Sequence, residues 1–436
     1  MNMVKLPRGC RDFSPEEMEK RRWLENRLRK VAESFNFREI QMPTFEHSEL
    51  FIKKSGEEIV RQLYIFEDKS GRSLALRPEM TAQAMRFYSS NFQFEPKPLK
   101  FFYFGNCFRY ERPQKGRYRE FWQFGVEIIG SSRPEAGVEL LSLATAMYSA
   151  IGLNNYLLRI GNVGILRWLF SKVGLNEEEK KAAFTLLDKD NFQGLKMFLK
   201  EKGVGESQVE GLVSFLSKRW TASELQQFRE SLNKIIEWLI NNNSQDQEEI
   251  KGLADSFYTT LKIFRELNDE FLIDLSVARG LDYYTGMVFE IEVPGLGAEA
   301  QVSGGGEYSL DSIFEIDSKG TLGFAIGFDR TLLALEKEGV KFPTSNLEVY
   351  IVPFQDALGF AFKVLKRLRE GGVRADIELT GRSITKAFKY ADKIGARYVV
   401  VVGEEEVKAA KLTVKNMSTQ HQEMVEVERI VEFVRG

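Results

Sequence analysis

Hydrophobic and polar positions along the chain predict a β-rich core that a helical segment interrupts. The chain opens with a helix, because Ser14, Pro15 and Glu17 form a capping sequence ahead of apolar residues at helical spacing. An extended run at 38–43 ends in proline, which favours the edge of a sheet. From there, residues 74–129 carry a strand-like pattern.

Two alternating segments, 101–111 and 121–129, predict an antiparallel hairpin with a long basic tip at 112–117. Because side chains alternate between the two faces of a strand, one face of the hairpin collects polar residues. These are Arg109, Glu111, Gln123 and Glu127. Gly125 leaves space among them. The face is either a binding surface or a solvated sheet face with ordinary ion pairs.

The remainder of the chain divides by composition. Residues 163–270 are rich in Lys, Glu, Leu and Phe at helical spacing, which predicts an all-helical insertion. Strand and glycine signals return after it, so a β-rich core spans 1–162 and 271–335. Short apolar strands then alternate with helical stretches over 346–436, which predicts a small α/β domain.

Composition narrows the possible functions. Lys and Arg number 61 against 63 Asp and Glu, which gives a net charge of −2, and 43 % of residues are hydrophobic. Disordered, collagen-like and coiled-coil proteins are excluded, and non-specific polyanion binding is disfavoured, although a local basic face remains possible. We find no uncharged apolar run of membrane-spanning length and no cleavable leader, so we expect a cytoplasmic protein without a membrane segment.

Cysteine and histidine are nearly absent. Cys10 and Cys107 lie far apart in sequence, and His47 and His421 are isolated. The sequence therefore offers almost no residues that could form a disulfide framework, a histidine base or a cluster of imidazole metal ligands. We expect the chemistry to depend on carboxylates, arginines and tyrosines, with the two cysteines buried or half-buried.

Arginines and glycines supply candidate sites for a phosphorylated ligand. Guanidinium groups bind phosphate through forked donors, so Arg109, Arg279 and Arg330 form a candidate polyphosphate site. Each of them is equally compatible with an ordinary surface position, and their spacing does not show that they meet. The glycine run at 303–306 allows close approach to a ligand or forms a turn. Residues 295–300 are better interpreted as a hairpin turn than as a dinucleotide fingerprint.

The tail carries regularly spaced basic residues. They are Arg382, Lys386, Lys389, Lys393 and Arg397. The spacing predicts one basic stripe on a helix whose apolar side holds Ile384, Phe388 and Ala391. Such a stripe is suited to an RNA phosphate backbone, and it is equally typical of a solvated lysine-rich helix.

Short motifs are distributed along nearly the whole chain. They are Leu-Pro-Arg-Gly-Cys-Arg-Asp at 6–12, Leu-Arg-Pro-Glu-Met-Thr at 76–81, Phe-Arg-Tyr-Glu-Arg-Pro-Gln at 108–114, Arg-Gly-Leu-Asp-Tyr-Tyr at 279–284, the glycine-to-arginine segment 323–330, Gly-Arg-Ser at 381–383 and Lys-Tyr-Ala-Asp at 389–392. With these motifs the sequence resembles the histidyl-tRNA synthetase family of class II aminoacyl-tRNA synthetases. The resemblance implies an α+β multidomain protein: an antiparallel β-sheet catalytic core with a helical insertion, followed by a C-terminal α/β anticodon-binding domain.

The resemblance implies a reaction and a histidine site. L-Histidine would react with ATP, with Mg²⁺ bridging phosphates, to give histidyl-adenylate and pyrophosphate, and histidine would pass to the 3′-terminal adenosine of tRNA(His). The residues implied to bind histidine are Glu79, Thr81, Gln123, Glu127, Tyr283, Tyr284 and Tyr308. Glu79 would pair with the ammonium group, and Glu127 and Tyr284 would contact the two imidazole nitrogens.

The residues implied to bind ATP are Arg109, Glu111, Arg117 and Arg330. By the family pattern, Arg109 would contact the α-phosphate, Glu111 the adenine amino group, and Arg330 the adenine and outer phosphates. Arg117 would hold the far end of the triphosphate. Arg279 and Arg109 are the implied catalytic residues, and Arg279 would stabilise charge on the α-phosphate as the histidine carboxylate attacks. No side chain needs to act as a nucleophile.

For the tRNA, the resemblance implies that Gln114 faces the acceptor end and that the tail, with Arg382, Lys386 and Lys389, holds the anticodon. The first helix and the strand near Pro43 correspond to the segment through which members of the family form homodimers. A homodimer is therefore expected. We also expect the insertion to contact the acceptor arm, because it interrupts the core between two substrate-binding segments.

The sequence departs from the family pattern at three positions. Glu307 and Ser309 stand where arginine and aspartate are common, and Trp122 stands where histidine is frequent. Tyr308 is retained between the first two, so we expect altered local contacts and an unchanged function.

Two other functions are considered. One is the synthetase-like regulatory subunit of ATP phosphoribosyltransferase, which does not aminoacylate and typically lacks the anticodon domain and the full arginine set. The other is an RNA-binding or stress-sensing module, which would have eroded substrate residues. Against the first stand the tail and the three arginines, and against the second stand Glu79, Gln123, Glu127 and Tyr284.

Overall fold

A computed structural model describes residues 5–112, 116–240, 244–277, 283–297, 300–343 and 346–436, with the side chains of all but 55–59 and 244–246. These residues fall into two compact units, Met1–Phe342 and Pro343–Gly436. Each unit has its own hydrophobic core.

Strands of the first unit build two sheets. They are β1 (Arg38–Glu39), β2 (Phe45–His47), β3 (Ile65–Glu67), β4 (Ser73–Leu76), β5 (Leu99–Phe108), β6 (Glu120–Ile129), β7 (Leu157–Asn162), β8 (Trp220–Thr221), β9 (Leu272–Ile273), β10 (Tyr284–Glu292), β11 (Gln301–Tyr308) and β12 (Thr321–Gly327). Among the described residues, nine of them form one sheet in the order β1-β5-β6-β12-β11-β10-β7-β9-β8. Its pairings are antiparallel except for β1 with β5 and β7 with β9. The strands β2, β4 and β3 form a small antiparallel sheet.

Helices surround these sheets. They are α1 (Pro15–Ser34), α2 (Ser48–Val60), α3 (Thr81–Asn91), α4 (Pro134–Ile151), α5 (Val163–Lys172), α6 (Glu177–Asp188), α7 (Phe192–Glu201), α8 (Glu206–Leu216), α9 (Leu225–Leu239), α10 (Ser244–Leu267), α11 (Asp311–Phe314) and α12 (Phe328–Glu338). The predicted capping of α1 is confirmed: the Ser14 hydroxyl accepts from the Glu17 amide at 3.2 Å, and the Glu17 carboxylate accepts from the Ser14 amide at 2.7 Å. None of the described helices is long and apolar enough to cross a membrane.

The antiparallel hairpin is confirmed and divides the unit into two sides. Strands β5 and β6 pair with Tyr103 opposite Gly125 and Gly105 opposite Gln123. On β6, the even-numbered side chains such as Phe124 and Val126 pack into the main core with α1, α4 and the helical segment. The odd-numbered positions face the other side, where the polar residues gather.

Parts of the strand-like prediction for 74–129 are wrong. Residues 81–91 form α3, whose buried face includes Met85 and Tyr88 at helical spacing. The first hairpin strand ends at Phe108 rather than at 111, because the amide of Tyr110 donates to the Gln62 carbonyl oxygen and carries the chain away from β6. The extended run 38–43 contributes only the short strand β1, which lies at the edge of the sheet as predicted.

Among the described residues of 163–270, the elements are helices apart from β8, which the sequence did not predict. This strand pairs with β9 and so joins the large sheet. The helices share one hydrophobic core with the sheet, in which Leu166 and Phe228 belong to the same cluster as Phe289 and Phe324. The helical stretch is therefore packed as part of the first unit.

The second unit is an α/β domain, as predicted. Its elements are β13 (Val349–Pro353), α13 (Leu358–Glu370), β14 (Ala375–Ile377), α14 (Ile384–Lys393), β15 (Tyr398–Val402), α15 (Glu404–Ala409), β16 (Lys411–Asn416), β17 (Gln422–Glu426) and α16 (Ile430–Arg435). The sheet order is β14-β13-β15-β16-β17, with parallel pairing among the first three strands and antiparallel pairing beyond. Hydrophobic clusters cover both of its faces.

The predicted five-residue basic stripe is only partly correct. Helix α14 carries Lys386, Lys389 and Lys393 as exposed residues, whereas Arg382 precedes the helix and Arg397 follows it. Arg382 does not extend the stripe, because its guanidinium donates to the Glu378 carboxylate at 2.9 Å. The predicted apolar side is also corrected.

On that apolar side, Ala391 is buried and Phe388 is partly buried, as predicted, but Ile384 is exposed. Ala387 is the other buried residue of the helix. Ile384 is the first residue of α14 and lies one turn before Ala387, the first buried residue of the helix. It therefore lies beyond the part of the helix that packs on the sheet.

Candidate active site

Glu127 on β6 is a carboxylate buried in the first unit. The Tyr103 hydroxyl on β5 donates to its Oε1 at 2.8 Å, and the Tyr308 hydroxyl on β11 donates to its Oε2 at 2.7 Å. Gly323 lies opposite Glu127 in the register of β12 and β6. A Cβ at Gly323 would overlap the carboxylate, so this glycine provides the space that Glu127 occupies.

Burial raises the pKa of Glu127 to about 8, although the hydrogen bonds from Tyr308 and Tyr103 act in the opposite direction. Lys54 also lowers this pKa, and Glu79 raises it further. The Glu127 carboxyl therefore binds a proton more readily than an exposed glutamate does, although both of its oxygens accept hydrogen bonds from tyrosine hydroxyls.

Glu79 precedes α3 and caps its N-terminus. Its Oε2 accepts from the Thr81 amide at 2.7 Å, and its Oε1 accepts from the Ala82 amide at 3.2 Å. The ammonium of Lys54 lies 2.9 Å from Oε2. Burial acts to raise the pKa of Glu79, but Lys54 and the two amides outweigh it, so the pKa is lowered and Glu79 is ionised.

Glu79 and Glu127 belong to one connected cluster. The Thr81 hydroxyl lies 3.3 Å from the Tyr103 hydroxyl, which is itself bound to Glu127. The rings of Tyr283 and Tyr308 meet edge to face at 5.9 Å. The structure thus brings together most of the residues expected to bind histidine.

A cavity of about 370 Å³ adjoins this cluster. All four residues expected to bind ATP line it, together with three expected to bind histidine: Arg109, Glu111, Arg117, Arg330, Gln123, Tyr283 and Tyr284. Gly304 and Gly305 of β11 also line it, so the glycine run at 303–306 forms cavity wall within a strand rather than a turn. The rings of Tyr283 and Tyr284 pack at 4.6 Å beside it.

Backbone carbonyls anchor two of the cavity arginines. Arg109 donates from Nε to the Pro78 carbonyl oxygen at 2.9 Å, and Arg330 donates from Nη1 to the Gln301 carbonyl oxygen at 3.0 Å. Nη1 of Arg109 lies 4.0 Å from the Glu111 carboxylate. Guanidinium groups held in this way are preorganised for an anionic ligand.

Asp329 fixes one wall of the cavity and was missed by sequence reasoning. Its Oδ1 accepts from Arg21 at 2.6 Å and from Arg11 at 2.7 Å, and its Oδ2 accepts from the Trp122 amide at 2.9 Å. It is the residue before Arg330 at the start of α12. The family motif at 323–330 contains Asp329, but the chain gives no local signal that distant arginines converge on it.

Lys54 and Tyr103 were also missed. Lys54 lies three positions after the buried Phe51, which places both on one face of α2, and this spacing is a usable signal of burial. Tyr103 shares its face with Gly125, and its ring lies where a Cβ of Gly125 would be. The space that Gly125 was expected to leave open is therefore filled by Tyr103.

Two expected residues, Arg279 and Gln114, lie outside the described residues. Val277 and Tyr283, which flank 278–282, both line the cavity. The two cysteines match expectation, since Cys107 is buried and Cys10 is half-buried.

The three departures from the family pattern differ in their surroundings. Glu307 on β11 lies beside Gly286, and burial raises its pKa to about 7. Among the described residues, its carboxyl group has no hydrogen-bond or ionic partner. The Ser309 amide donates to the Tyr283 carbonyl oxygen at 2.9 Å. Trp122 packs edge to face on Phe13 at 5.4 Å.

In the second unit, Glu378 organises the segment before α14. Its carboxylate accepts from the Tyr350 hydroxyl at 2.6 Å and from the Thr380 hydroxyl at 2.6 Å, besides Arg382. The Arg382 guanidinium also lies 4.0 Å from the Tyr390 ring centre. Arg382 is thus fixed, while the lysines of α14 extend into solvent.

Comparisons with known proteins agree across the whole chain. A family model described as histidyl-tRNA synthetase matches residues 9–331, and one described as anticodon binding domain matches residues 348–436. The histidine–tRNA ligase of Archaeoglobus fulgidus is 42 % identical over 432 residues, covering 99 % of this chain and 100 % of that protein. That of Thermococcus kodakarensis is 42 % identical over 440 residues, covering 98 % and 97 %.

Solved structures give the same result. The apo histidyl-tRNA synthetase of S. aureus matches with a TM-score of 0.73 and 31 % identity, covering 100 % of both chains. A protein of Bacillus halodurans, described as an ATP phosphoribosyltransferase regulatory subunit/histidyl-tRNA synthetase, has a TM-score of 0.76 at 24 % identity, covering 92 % of this chain and 98 % of that one. The latter likeness concerns the fold alone.

Proposed function

Because the chain belongs to the histidyl-tRNA synthetase family and has histidine–tRNA ligase activity, we propose that its first unit binds ATP in the cavity and L-histidine in the adjoining cluster. The observation that carries this assignment is the position of Arg109, Glu111, Arg117 and Arg330 around one cavity. The cluster of Glu79 and Glu127 adjoins it through the paired rings of Tyr283 and Tyr284, so two substrates can meet there.

The reaction needs two anions to approach each other. A carboxylate oxygen of histidine attacks the α-phosphorus of ATP, and pyrophosphate leaves with its bonding electron pair. Arg109 contacts the α-phosphate and Arg330 contacts the adenine and outer phosphates, so their charges offset the repulsion. Arg117 binds the far end of the triphosphate, and Glu111 accepts from the adenine amino group. Arg279 stabilises the charge that grows on the α-phosphate.

Histidine is recognised by charge and by hydrogen bonds. Glu79 pairs with the α-ammonium group, and Glu127 and Tyr284 contact the two imidazole nitrogens. Thr81, Gln123, Tyr283 and Tyr308 complete the site. An amino acid without these nitrogens would leave the buried Glu127 without its partner, which is an efficient basis for rejection.

Mg²⁺ is the implied metal ion, and the cavity offers suitable donors. Glu290 lines the cavity and would hold the ion through its carboxylate, since Mg²⁺ in nucleotide sites is bound by one or two carboxylates besides phosphates and water. Glu290 is positioned by Gln301, whose side-chain amide donates to it at 2.8 Å. When bound, Mg²⁺ supplies charge neutralisation on the phosphates.

For tRNA(His), we propose that Gln114 faces the acceptor end and that the second unit holds the anticodon through Arg382, Lys386 and Lys389. The exposure of the two lysines supports contact with a phosphate backbone. Arg382, bound to Glu378 and packed on Tyr390, would act as a fixed donor.

We also propose a homodimer in the cytoplasm, formed through α1 and the segment near Pro43. The small sheet beside that segment supports this, because Phe45, Ile65 and Phe66 are large apolar residues on it that remain exposed. Exposed apolar residues grouped in this way are typical of association surfaces.

The test is ATP–pyrophosphate exchange with Mg²⁺ and without tRNA, run with each of the twenty amino acids. We expect exchange with histidine alone. A Glu127→Gln variant serves as control and should lose exchange while retaining ATP binding. Histidine binding without any exchange by the unchanged protein would contradict the proposal and favour the regulatory-subunit alternative.

A further inference from the structure

A buried lysine contacts the proposed histidine site, although sequence reasoning did not include it. Lys54 lies on α2, and its side chain is only 4 % exposed. A lysine ammonium this deeply buried is expensive to desolvate unless it is paired. Burial acts to lower its pKa, but the charge of Glu79 and the proximity of Tyr283 and Glu127 outweigh it, so the pKa is raised and Lys54 is protonated across the neutral range.

The ammonium of Lys54 contacts two residues of the proposed site. It lies 2.9 Å from Oε2 of Glu79 and 4.5 Å from the centre of the Tyr283 ring. Oε2 also accepts from the Thr81 amide. Among the described residues, the donor to Oε1 is the Ala82 amide alone, at 3.2 Å, and this amide also lies 3.4 Å from Oε2. Each carboxylate oxygen can accept two hydrogen bonds, so Oε1 retains capacity for a further donor.

We propose that Lys54 is a positioning residue for histidine recognition, which keeps Glu79 ionised and turned so that Oε1 accepts the α-ammonium group of the amino acid. This rests on the proposed function, in which Glu79 is the ammonium partner. Lys54 itself does not contact the reacting atoms. Its pairing with Glu79 leaves the second buried carboxyl, Glu127, for the imidazole ring.

The titratable groups around Lys54 and Glu79 come from four strands or their flanking residues. Besides the pair itself they are Tyr103 and Cys107 on β5, Glu127 on β6, Tyr283 before β10 and Tyr308 on β11. Burial raises the pKa of Cys107 to about 12, and it also raises those of Tyr103 and Tyr308, so these three groups stay neutral across the neutral range. Glu79 and Glu127 are the groups whose ionisation can respond to loss of Lys54.

The main test compares Lys54→Met with the unchanged protein in ATP–pyrophosphate exchange between pH 6 and pH 9. Without its cation, Glu79 becomes an unpaired buried carboxyl and binds a proton more readily. We expect the KM for histidine to rise about tenfold or more at pH 6, the size typical of losing a charged hydrogen bond, with kcat changed much less. The rise should shrink toward pH 9, and Lys54→Arg should restore part of the affinity.

Lys53→Met is the matched control, because Lys53 is the neighbouring residue of α2 and pairs with Glu49 on the surface. A second probe is 3-(imidazol-4-yl)propionate, which is histidine without its amino group. Its binding, measured by calorimetry, should be nearly unchanged in Lys54→Met. Equal losses for this analogue and for histidine, or a KM profile equal to that of the control, would overturn the proposal.

A variant that removes both charges covers the case in which Lys54→Met does not fold. In a Glu79→Gln background the carboxylate is gone, so adding Lys54→Met should have little further effect on the KM for histidine. Additive effects would contradict the proposed role. Failure of the proposed function is distinguishable, because the unchanged protein would then show no histidine-dependent exchange at all.

Discussion

At the scale of single residues, the proposed active site depends on two buried carboxyl groups whose pKa values are shifted in opposite directions. Glu79 is ionised by Lys54 and by the first amides of α3. Glu127, with a pKa of about 8, is held between two tyrosine hydroxyls. Two carboxyl groups whose pKa values are pushed apart can take different tasks, which here are pairing with an ammonium group and with a ring nitrogen.

Glu307 gives a prediction about stability and pH. Its pKa is raised by burial from 4.5 to about 7, so between these values the folded protein binds a proton that the unfolded chain has lost. The free energy of unfolding therefore falls as pH rises through this window. We expect Glu307→Gln to be more stable than the unchanged protein at pH 8 by about 2 kcal/mol, with little difference at pH 4, in urea unfolding. Equal stabilities at pH 8 would contradict it.

Gly323 gives a prediction about histidine affinity. A Cβ at this position would overlap the Glu127 carboxylate, so Gly323→Ala must displace it. We expect the KM for histidine in pyrophosphate exchange to rise roughly tenfold or more, as for loss of a charged hydrogen bond, with the KM for ATP little changed. Gly252→Ala on α10 is the control, because a Cβ there meets open space. An unchanged histidine KM in Gly323→Ala would show that Glu127 is not part of the site.

At the scale of elements, two ion pairs join α1 to α12 with very different exposure. Arg21 and Asp329 are buried, whereas Lys20 and Glu336 form a 2.6 Å pair that is largely exposed. Asp329 also binds Arg11 and the amide of Trp122, so it connects the chain start and β6 as well. The position of α12, and with it Arg330 in the cavity, depends on the buried pair.

We expect Asp329→Asn to lower the free energy of unfolding by about 3 kcal/mol, because it leaves buried guanidinium groups without a carboxylate. Glu336→Gln, which breaks only the exposed pair, should cost less than about 1 kcal/mol. Both values can be measured by denaturant unfolding. Similar costs for the two variants would mean that Asp329 does not hold the helices together.

Elements with a local signature could be predicted from the sequence. The capping box of α1, the hairpin of β5 and β6 and the alternation of the second unit were all predicted, because each depends on neighbouring residues. Helix α3 was missed because Met80, at its N-cap position, is not a capping residue, and Glu79, one residue earlier, binds the first amides of the helix instead. β8 was missed because its two residues become a strand only by pairing with β9.

The candidate site shows the same limit. Family motifs indicated Arg109 and Arg330, which the structure places around one cavity, and the alternation of the hairpin together with the family resemblance indicated Glu127. Lys54 and Tyr103 lie outside those motifs, and they join the cluster through contacts that span helices and strands distant in sequence. Contacts between residues distant in sequence leave no periodic pattern and no local bias in composition, so the sequence could not indicate them.

At the scale of the whole molecule, the helical stretch and the large sheet share one core, while the second unit has its own. Deleting the helical stretch would therefore expose core residues of the sheet. The expected contact of that stretch with the acceptor arm is better tested by surface substitutions. In the second unit, in contrast, the clusters on both faces of the sheet consist of that unit's own residues.

We expect residues 346–436, expressed alone, to fold cooperatively, because the described core clusters of this unit contain only its own residues. Circular dichroism with urea unfolding would show a single sigmoidal transition. A linear loss of signal without a transition would contradict this prediction.

The second unit also gives a prediction about tRNA. Reversing charge with Lys386→Glu and Lys389→Glu should weaken tRNA(His) binding and its salt dependence, because each lysine contributes to phosphate contact. Pyrophosphate exchange without tRNA should be unchanged. Lys366→Glu on α13 is the control, since Lys366 is an exposed lysine already paired with Glu370. Equal tRNA affinities for the α14 variants and the control would rule out α14 as the contact.

Both margins of the nine-stranded sheet are strands of only two residues, β1 and β8. A sheet margin presents unpaired peptide groups on which another sheet can grow, and this is a common origin of aggregation. Here the chain turns away almost at once, at a proline-containing segment on one side and into the helical stretch on the other. A broad sheet is thereby protected against edge-to-edge association by the brevity of its outermost strands.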